Sequence, residues 1–189
     1  VIGLSIDTGV ENGVCLFTFG SVRPFEVSQL WQFGGGAQGL KDWMEREACY
    51  AGDTSAGAPI LLGSNVIDAL VVEKFTPRPQ ESFAQTQKSI ESLRVEGVLI
   101  GRDFGQHINW AQPAAQYFMG ASSLPLAQKK MLSREFLKLH DIYPTGKTVG
   151  RKNADDAISA TLHAIAYLRR KRHMPTLRAM FPETRKEES

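Results

Sequence analysis

Hydrophobic and polar positions along the chain fall into short blocks with two different periods. Residues 1–7 (VIGLSID) predict a strand, with apolar positions continuous or alternating up to the acidic end at Asp7. Thr8-Gly9 and Asn12-Gly13 are turn signals. Stretches 13–20 (GVCLFTFG) and 25–33 predict two more strands, and the short Gly- and Pro-marked connections predict an antiparallel meander. Gly34-Gly35-Gly36 breaks the pattern, a helix follows over 40–50, and 52–59 reads as a Gly/Ala/Ser/Thr loop. Residues 69–75 (ALVVEKF) predict a further buried strand. Ile90, Leu93 and Val98 recur at helical spacing within 85–100, and 108–112 predicts a fifth strand. Leu126–Leu139 reads as a helix with cations on its outer face, 143–151 as a basic loop, and 153–172 as a long helix stopped by Pro175. The last dozen residues read as frayed.

This order predicts an α/β fold. Three hairpin-linked strands followed by βα units give a mixed five-stranded sheet, part antiparallel meander and part parallel, with helices on both faces. One domain is expected over 1–173, with a basic, polar tail over 174–189. The length of 189 residues suits a single domain. No apolar run approaches the roughly 20 residues of a membrane helix, and the first residues lack the basic start and apolar block of a secretory signal. Cys15 and Cys49 have no CxxC or CxxH neighbour. They are expected to act as small buried hydrophobes in a reducing, cytoplasmic setting.

The formal net charge of +2 conceals an asymmetry. Residues 1–128 hold 8 Lys/Arg against 13 Asp/Glu, a net of −5, while 129–189 hold 14 against 7, a net of +7. One basic cluster comprises Lys129, Lys130, Arg134, Lys138, Lys147, Arg151 and Lys152; the other is Arg169-Arg170-Lys171-Arg172. Such a split suggests a polyanionic partner. For Arg169–Arg172 the competing explanation is a solvated helix end whose cations suit the helix dipole.

Three acids stand where structural acids are uncommon: Asp7 at the end of the first strand, Glu73 after Leu70-Val71-Val72, and Asp156 in a helix that is apolar on most sides. A buried carboxylate must be paired, hydrogen-bonded or neutralised. Lys74 points to the opposite strand face and is a poor partner for Glu73. Convergence on a divalent cation is the alternative. Mg²⁺ takes oxygen ligands from a few carboxylates plus substrate phosphate, and two ions about 3.5–4 Å apart activate a water and stabilise the leaving oxygen in phosphodiester hydrolysis. At about 100° per residue, Asn153, Asp156, Ala160, His163, Ala164 and Tyr167 share one broad face of the last helix. Asp156 is therefore the expected ligand, with Asn153 and Asp155 as further candidates. Asp155 is expected with Ser159 on the outer face, where an acid also suits a helix N-terminus. His163 lies two turns on, and a lone helical His is more often a packed core residue.

Four stretches together resemble the RuvC family of Holliday junction resolvases, within the RNase H-like superfamily. IGLSIDTGVENGVCLF resembles the first hairpin. ALVVEKFTPRPQESFAQTQKSIESLRVEGVLIG resembles the central strand with Val-Glu and its helix. QPAAQYFMGASSLPLAQKKMLSREFLKL is similar to the segment leading into a Lys-bearing helix. KNADDAISATLHAIAYL resembles the closing helix. The resemblance runs in order over residues 2 to 168. It implies an RNase H-like fold and a metal-dependent endonuclease, using Mg²⁺ or Mn²⁺ and two ions, that nicks four-way DNA junctions as a homodimer. It assigns Asp7, Glu73 and Asp156 as metal-binding catalytic acids. Asn153 stands where the family usually has Asp or His. The resemblance also places DNA contacts near Lys129 and Lys130, with Lys147, Arg151 and Lys152 adding positive charge. FTPRPQESF falls where the family carries a loop that enters the junction, with Phe75 or Phe83 available to stack.

The same residues are compatible with other functions. An RNase H-like nuclease could act on RNA, flaps or forks instead. An actin-like ATPase also opens with strand-Asp-x-Gly but needs two lobes, for which this chain is short. A non-catalytic DNA-binding module is suggested only by Asn153.

Overall fold

The computed structural model describes residues 1–52, 59–74, 83–111, 124–150 and 153–181, with backbone alone at 83–88, 106 and 126. Its main sheet contains five strands in the order β3-β2-β1-β7-β8: β1 (Ile2–Asp7), β2 (Glu11–Thr18), β3 (Glu26–Gly34), β7 (Ala69–Glu73) and β8 (Ile108–Ala111). β1, β2 and β3 pair antiparallel, while β7 lies parallel to both β1 and β8. This is the expected mixed sheet, and its order and directions are those of an RNase H-like fold.

Strand alternation divides the core into two layers. On one face Leu4, Ile6, Val14, Leu16, Leu70 and Val72 pack under α1 (Gly36–Arg46) and α2 (Phe83–Gly101). On the other, Cys15, Phe17, Val71 and Ala111 pack under α5 (Asp155–Arg170), together with α3 (Leu126–Leu139), α4 (Gly146–Val149) and α6 (Met174–Met180). Both cysteines are buried and free, and burial pushes each thiol up to about 12. They therefore behave as core hydrophobes rather than nucleophiles.

Several elements depart from the sequence pattern. α1 starts and ends four residues before the expected helix over 40–50. Glu91, from α2, accepts the Ala37 N–H at 2.8 Å and so satisfies an amide at the new start. The left-handed Ala48, φ 51°, ends the helical path, and β4 (Cys49–Ala51) follows. With β5 (Ile60–Leu62) and β6 (Asn65–Ile67) it makes a second, three-stranded sheet. Strands of three residues leave no readable period. Pro175 stops no packing: it sits in the first turn of α6, where a missing N–H costs nothing. Thr176, Leu177 and Met180 are buried, so the chain stays folded beyond 173. No helix among the described residues is long and apolar enough to cross a membrane.

Candidate metal centre

The site begins with strand register. β1 and β7 run parallel with Ile6 opposite Val72, so Asp7 and Glu73 are the next residues along adjacent strands. The same alternation sends both side chains to the α5 face. Asp7 is 9 % exposed, and Glu73 is partly exposed. Their carboxyl groups hydrogen-bond to each other. Two carboxylates share such a bond only through a proton; once both ionise, they repel unless a cation lies between them.

α5 closes the site from above. Gly13 on β2 lies directly beneath the first turn of this helix, and a Cβ there would collide with the Asp156 carbonyl. Gly13 thus sets how closely the helix approaches the sheet. Gln32 on β3 accepts the Ala157 N–H at 3.2 Å and fixes the same turn. At this depth Asp156, Ser159 and His163 fall at i, i+3 and i+7, one stripe of the helix. The Ser159 side chain hydrogen-bonds Asp7. His163, 1 % exposed, brings Nε2 to 3.8 Å from Asp7 Oδ1. Ser159, which the helix pattern puts on the outer face, is half-buried and close enough to Asp7 to act on its carboxyl.

Asp7, Glu73 and His163 each offer a donor atom, and these atoms all lie within 4.8 Å of one another. The 3.8 Å gap between Asp7 and His163 is too long for a hydrogen bond and suits two ligands that each stand about 2 Å from a shared ion. Burial lifts the Asp7 carboxyl to about 6, against hydrogen bonds from Glu73 and Ser159, and the nearby charge of Asp156 lifts it further. The donor set fits a divalent cation. Two oxygens and one imidazole nitrogen lean toward Mn²⁺ or a similar transition ion more than an all-oxygen set would.

The other expected residues are distributed around this centre. Asp156 lies in the first turn of α5, outside the group of three, yet close enough for its charge to act on Asp7. Burial raises its own carboxyl to about 6, with Glu11 and Asp155 adding to the effect. Asn153 is exposed, and its side chain accepts the Asp155 N–H at 3.0 Å, serving the helix end. Asp155 accepts Lys130 Nζ at 3.0 Å and also pairs with Arg134. Burial pushes its carboxyl up, but the bonds and charges of Arg134 and Lys130 outweigh this and hold it below the usual carboxylate range. Lys130 therefore borders the acids, and its charge reaches Asp7 and Asp156. Lys129 is beside it on α3, and Lys147 is exposed on α4. Arg151, Lys152 and Phe75 lie outside the described residues, as does the side chain of Phe83. His163 is the residue the sequence pattern undervalued; its signal was the shared helix face, seven residues after Asp156.

No protein-family model matches the chain, and no curated protein matches it. Among solved structures, the fold is similar to that of T. thermophilus RuvC in complex with Holliday junction substrate, with a TM-score of 0.48 at 10% identity over 93% of this chain and 98% of that one. It is also similar to a Thermus thermophilus RuvC structure, with a TM-score of 0.43 at 13% identity over 90% of this chain and 97% of that one.

Proposed function

We propose that the protein is a divalent-metal-dependent endodeoxyribonuclease that nicks branched DNA, foremost four-way junctions, by phosphodiester hydrolysis as a homodimer. The observation that carries this reading is the meeting of Asp7, Glu73 and His163 within 4.8 Å at the ends of two parallel strands and one helix. The ordered sequence resemblance to the RuvC family supports it.

In this reading Asp7 and Glu73 hold the cation, Mg²⁺ or Mn²⁺, and His163 supplies a nitrogen ligand. A bound ion would polarise the scissile phosphate and lower the pKa of a water at the same place. The protein's own groups set the conditions. Ser159 fixes the Asp7 carboxyl by a hydrogen bond. Asp156, partly exposed at the rim, is the acid available to a second ion or to a water approaching the phosphate. Lys130 offsets the negative charge that an incoming phosphate would meet, while Lys129 and Lys147 grip the backbone on either side. Arg151 and Lys152 extend that grip.

The test incubates end-labelled four-way junction, flap, fork and linear duplex with the protein in Mg²⁺ or Mn²⁺, beside Asp7→Asn and Glu73→Gln. Paired nicks near the crossover, lost in both variants while binding persists, are the expected result. Full cleavage by Asp7→Asn would remove the proposed centre. Binding without cleavage in either metal would remove the nuclease reading.

A further inference from the structure

Lys130 and Arg134 stand one turn apart on α3, and both reach a single carboxylate. Asp155, in the first turn of α5, accepts Lys130 Nζ on Oδ2 at 3.0 Å and Arg134 Nη2 on Oδ1. Each oxygen meets its own cation, so one negative charge holds two positive ones. The pairs are open to water: the Lys130 and Arg134 side chains are 48% and 40% exposed. Pairs of that kind hold by a few-fold at most, so an arriving anion can exchange with the carboxylate. Position favours the exchange as well. The charge of Lys130 reaches Asp7 and Asp156, so a phosphate attacked at the metal centre arrives beside it. A phosphodiester spreads one negative charge over two free oxygens, as a carboxylate does, and takes the same charge-assisted hydrogen bonds. Asn153 accepts the Asp155 N–H at 3.0 Å, which anchors the backbone there and leaves the side chain able to swing. Once released, the carboxylate still stands at a helix N-terminus, where a negative charge is favoured.

We propose that Lys130 and Arg134 form a phosphate cradle whose place Asp155 occupies until DNA binds, a backbone phosphate then displacing the carboxylate. That the ligand is DNA rests on the nuclease reading; the exchange of one oxyanion for another rests on the cradle itself. Arg134 thereby joins the DNA-contacting residues, and Asp155 becomes an internal competitor of the substrate. Every DNA molecule must open the cradle, so apparent affinity is reduced by the fraction of protein in which the cradle already stands open.

The test compares wild type, D155N and R134Q for binding of a four-way junction without divalent metal, across a salt series. Nitrogen NMR of the lysine side chains follows Lys130, whose signal is assigned by its loss in K130Q. D155N should bind about 5–25-fold more tightly, from two exposed pairs worth up to about five-fold each. Removing any nearby negative charge also tightens binding, and the NMR signal separates the two causes. In the free proteins D155N should move the Lys130 signal. In the complexes wild type and D155N should give the same signal, because Lys130 then holds phosphate in both. R134Q should lower the steepness of log K against log salt by about 0.9, the effect of one phosphate contact. A Lys130 signal that keeps its free position in the wild-type complex would overturn the proposal, since Asp155 would still fill the cradle. Equal affinities for wild type and D155N, or an unchanged salt slope in R134Q, would overturn it as well. No binding by any of the proteins would overturn both the cradle and the nuclease reading. Binding without cleavage once metal is added would overturn the nuclease reading alone.

Discussion

The two ends of α5 carry opposite charge, and both arrangements agree with the helix dipole: Asp155 and Asp156 in the first turn, Arg169 and Arg170 in the last. Burial is what separates them. At the first end, carboxyl groups crowd together, with Asp7 buried and Glu73 and Asp156 half-buried. Asp7 shares a hydrogen bond with Glu73, and burial lifts Asp7 and Asp156 to about 6. At the last end the cations stand in solvent. A crowded, dehydrated charge demands a counter-ion and can serve chemistry; a hydrated one is suited to recognition. The dipole alone distinguishes neither role.

The comparison breaks most severely if the strand-end acids are changed. Asp7→Asn and Glu73→Gln should each reduce cleavage by more than the roughly 10–100-fold expected for loss of an outer-shell partner. Thermal unfolding should show both variants folded, since each replacement keeps size and relieves repulsion. A next-largest effect is expected at His163. His163→Ala should weaken Mn²⁺ binding by about 10–100-fold, a range seen even for outer-shell partners, and His163→Asp should shift preference toward Mg²⁺, read by metal titration calorimetry. Equal Mn²⁺ affinity in His163→Ala would make this histidine a packing residue.

Gly13→Ala tests the positioning of the helix. Its Cβ would meet the Asp156 carbonyl, so stability should fall by about 1–3 kcal/mol, as overpacking does, measured by urea unfolding. A near-neutral result would mean that α5 can lift from the sheet without cost.

pH sharpens the contrast with the smallest effect. The folded carboxyls of Asp7 and Asp156 stand near 6, against an ordinary value of 3.8. Between those values the folded state keeps protons that the unfolded chain has released. Stability of the metal-free protein should therefore be highest below about 4 from these two groups and decline as pH rises through 6. Metal affinity should rise over the same interval, because cation and proton compete. The arginines at the other end contribute nothing to this window, since they stay charged throughout.

Much of the fold was legible because it is written locally. Apolar runs ending on Asp7 and Glu73, the break at Thr8-Gly9 and a small-residue helix after Asn153 predicted the mixed sheet and both strand-end acids, whereas Asn12-Gly13, also read as a turn, lies inside β2, paired with β1 and β3. The short strands β4 to β6 were not legible, because three residues carry no period. The start of α1 was also hidden, since its amide partner Glu91 lies 54 residues away.

The candidate site divides along the same line. By itself the sequence determined that Asp7 and Glu73 end apolar strands, and that Asp156 and His163 share a helix face. Strand alternation and helix period are properties of the local backbone, so they can be read from residue order. Only the tertiary structure decided which residues on that face reach the strand ends. That choice depends on how deeply α5 settles over Gly13 and how far it turns, and both are set by packing against β2 and β3. It also decided that Asp155 pairs with Lys130 and Arg134 on another helix, while Ser159 and His163 turn toward Asp7. A helix pattern gives the angle between side chains, but the surface beneath the helix fixes its rotation.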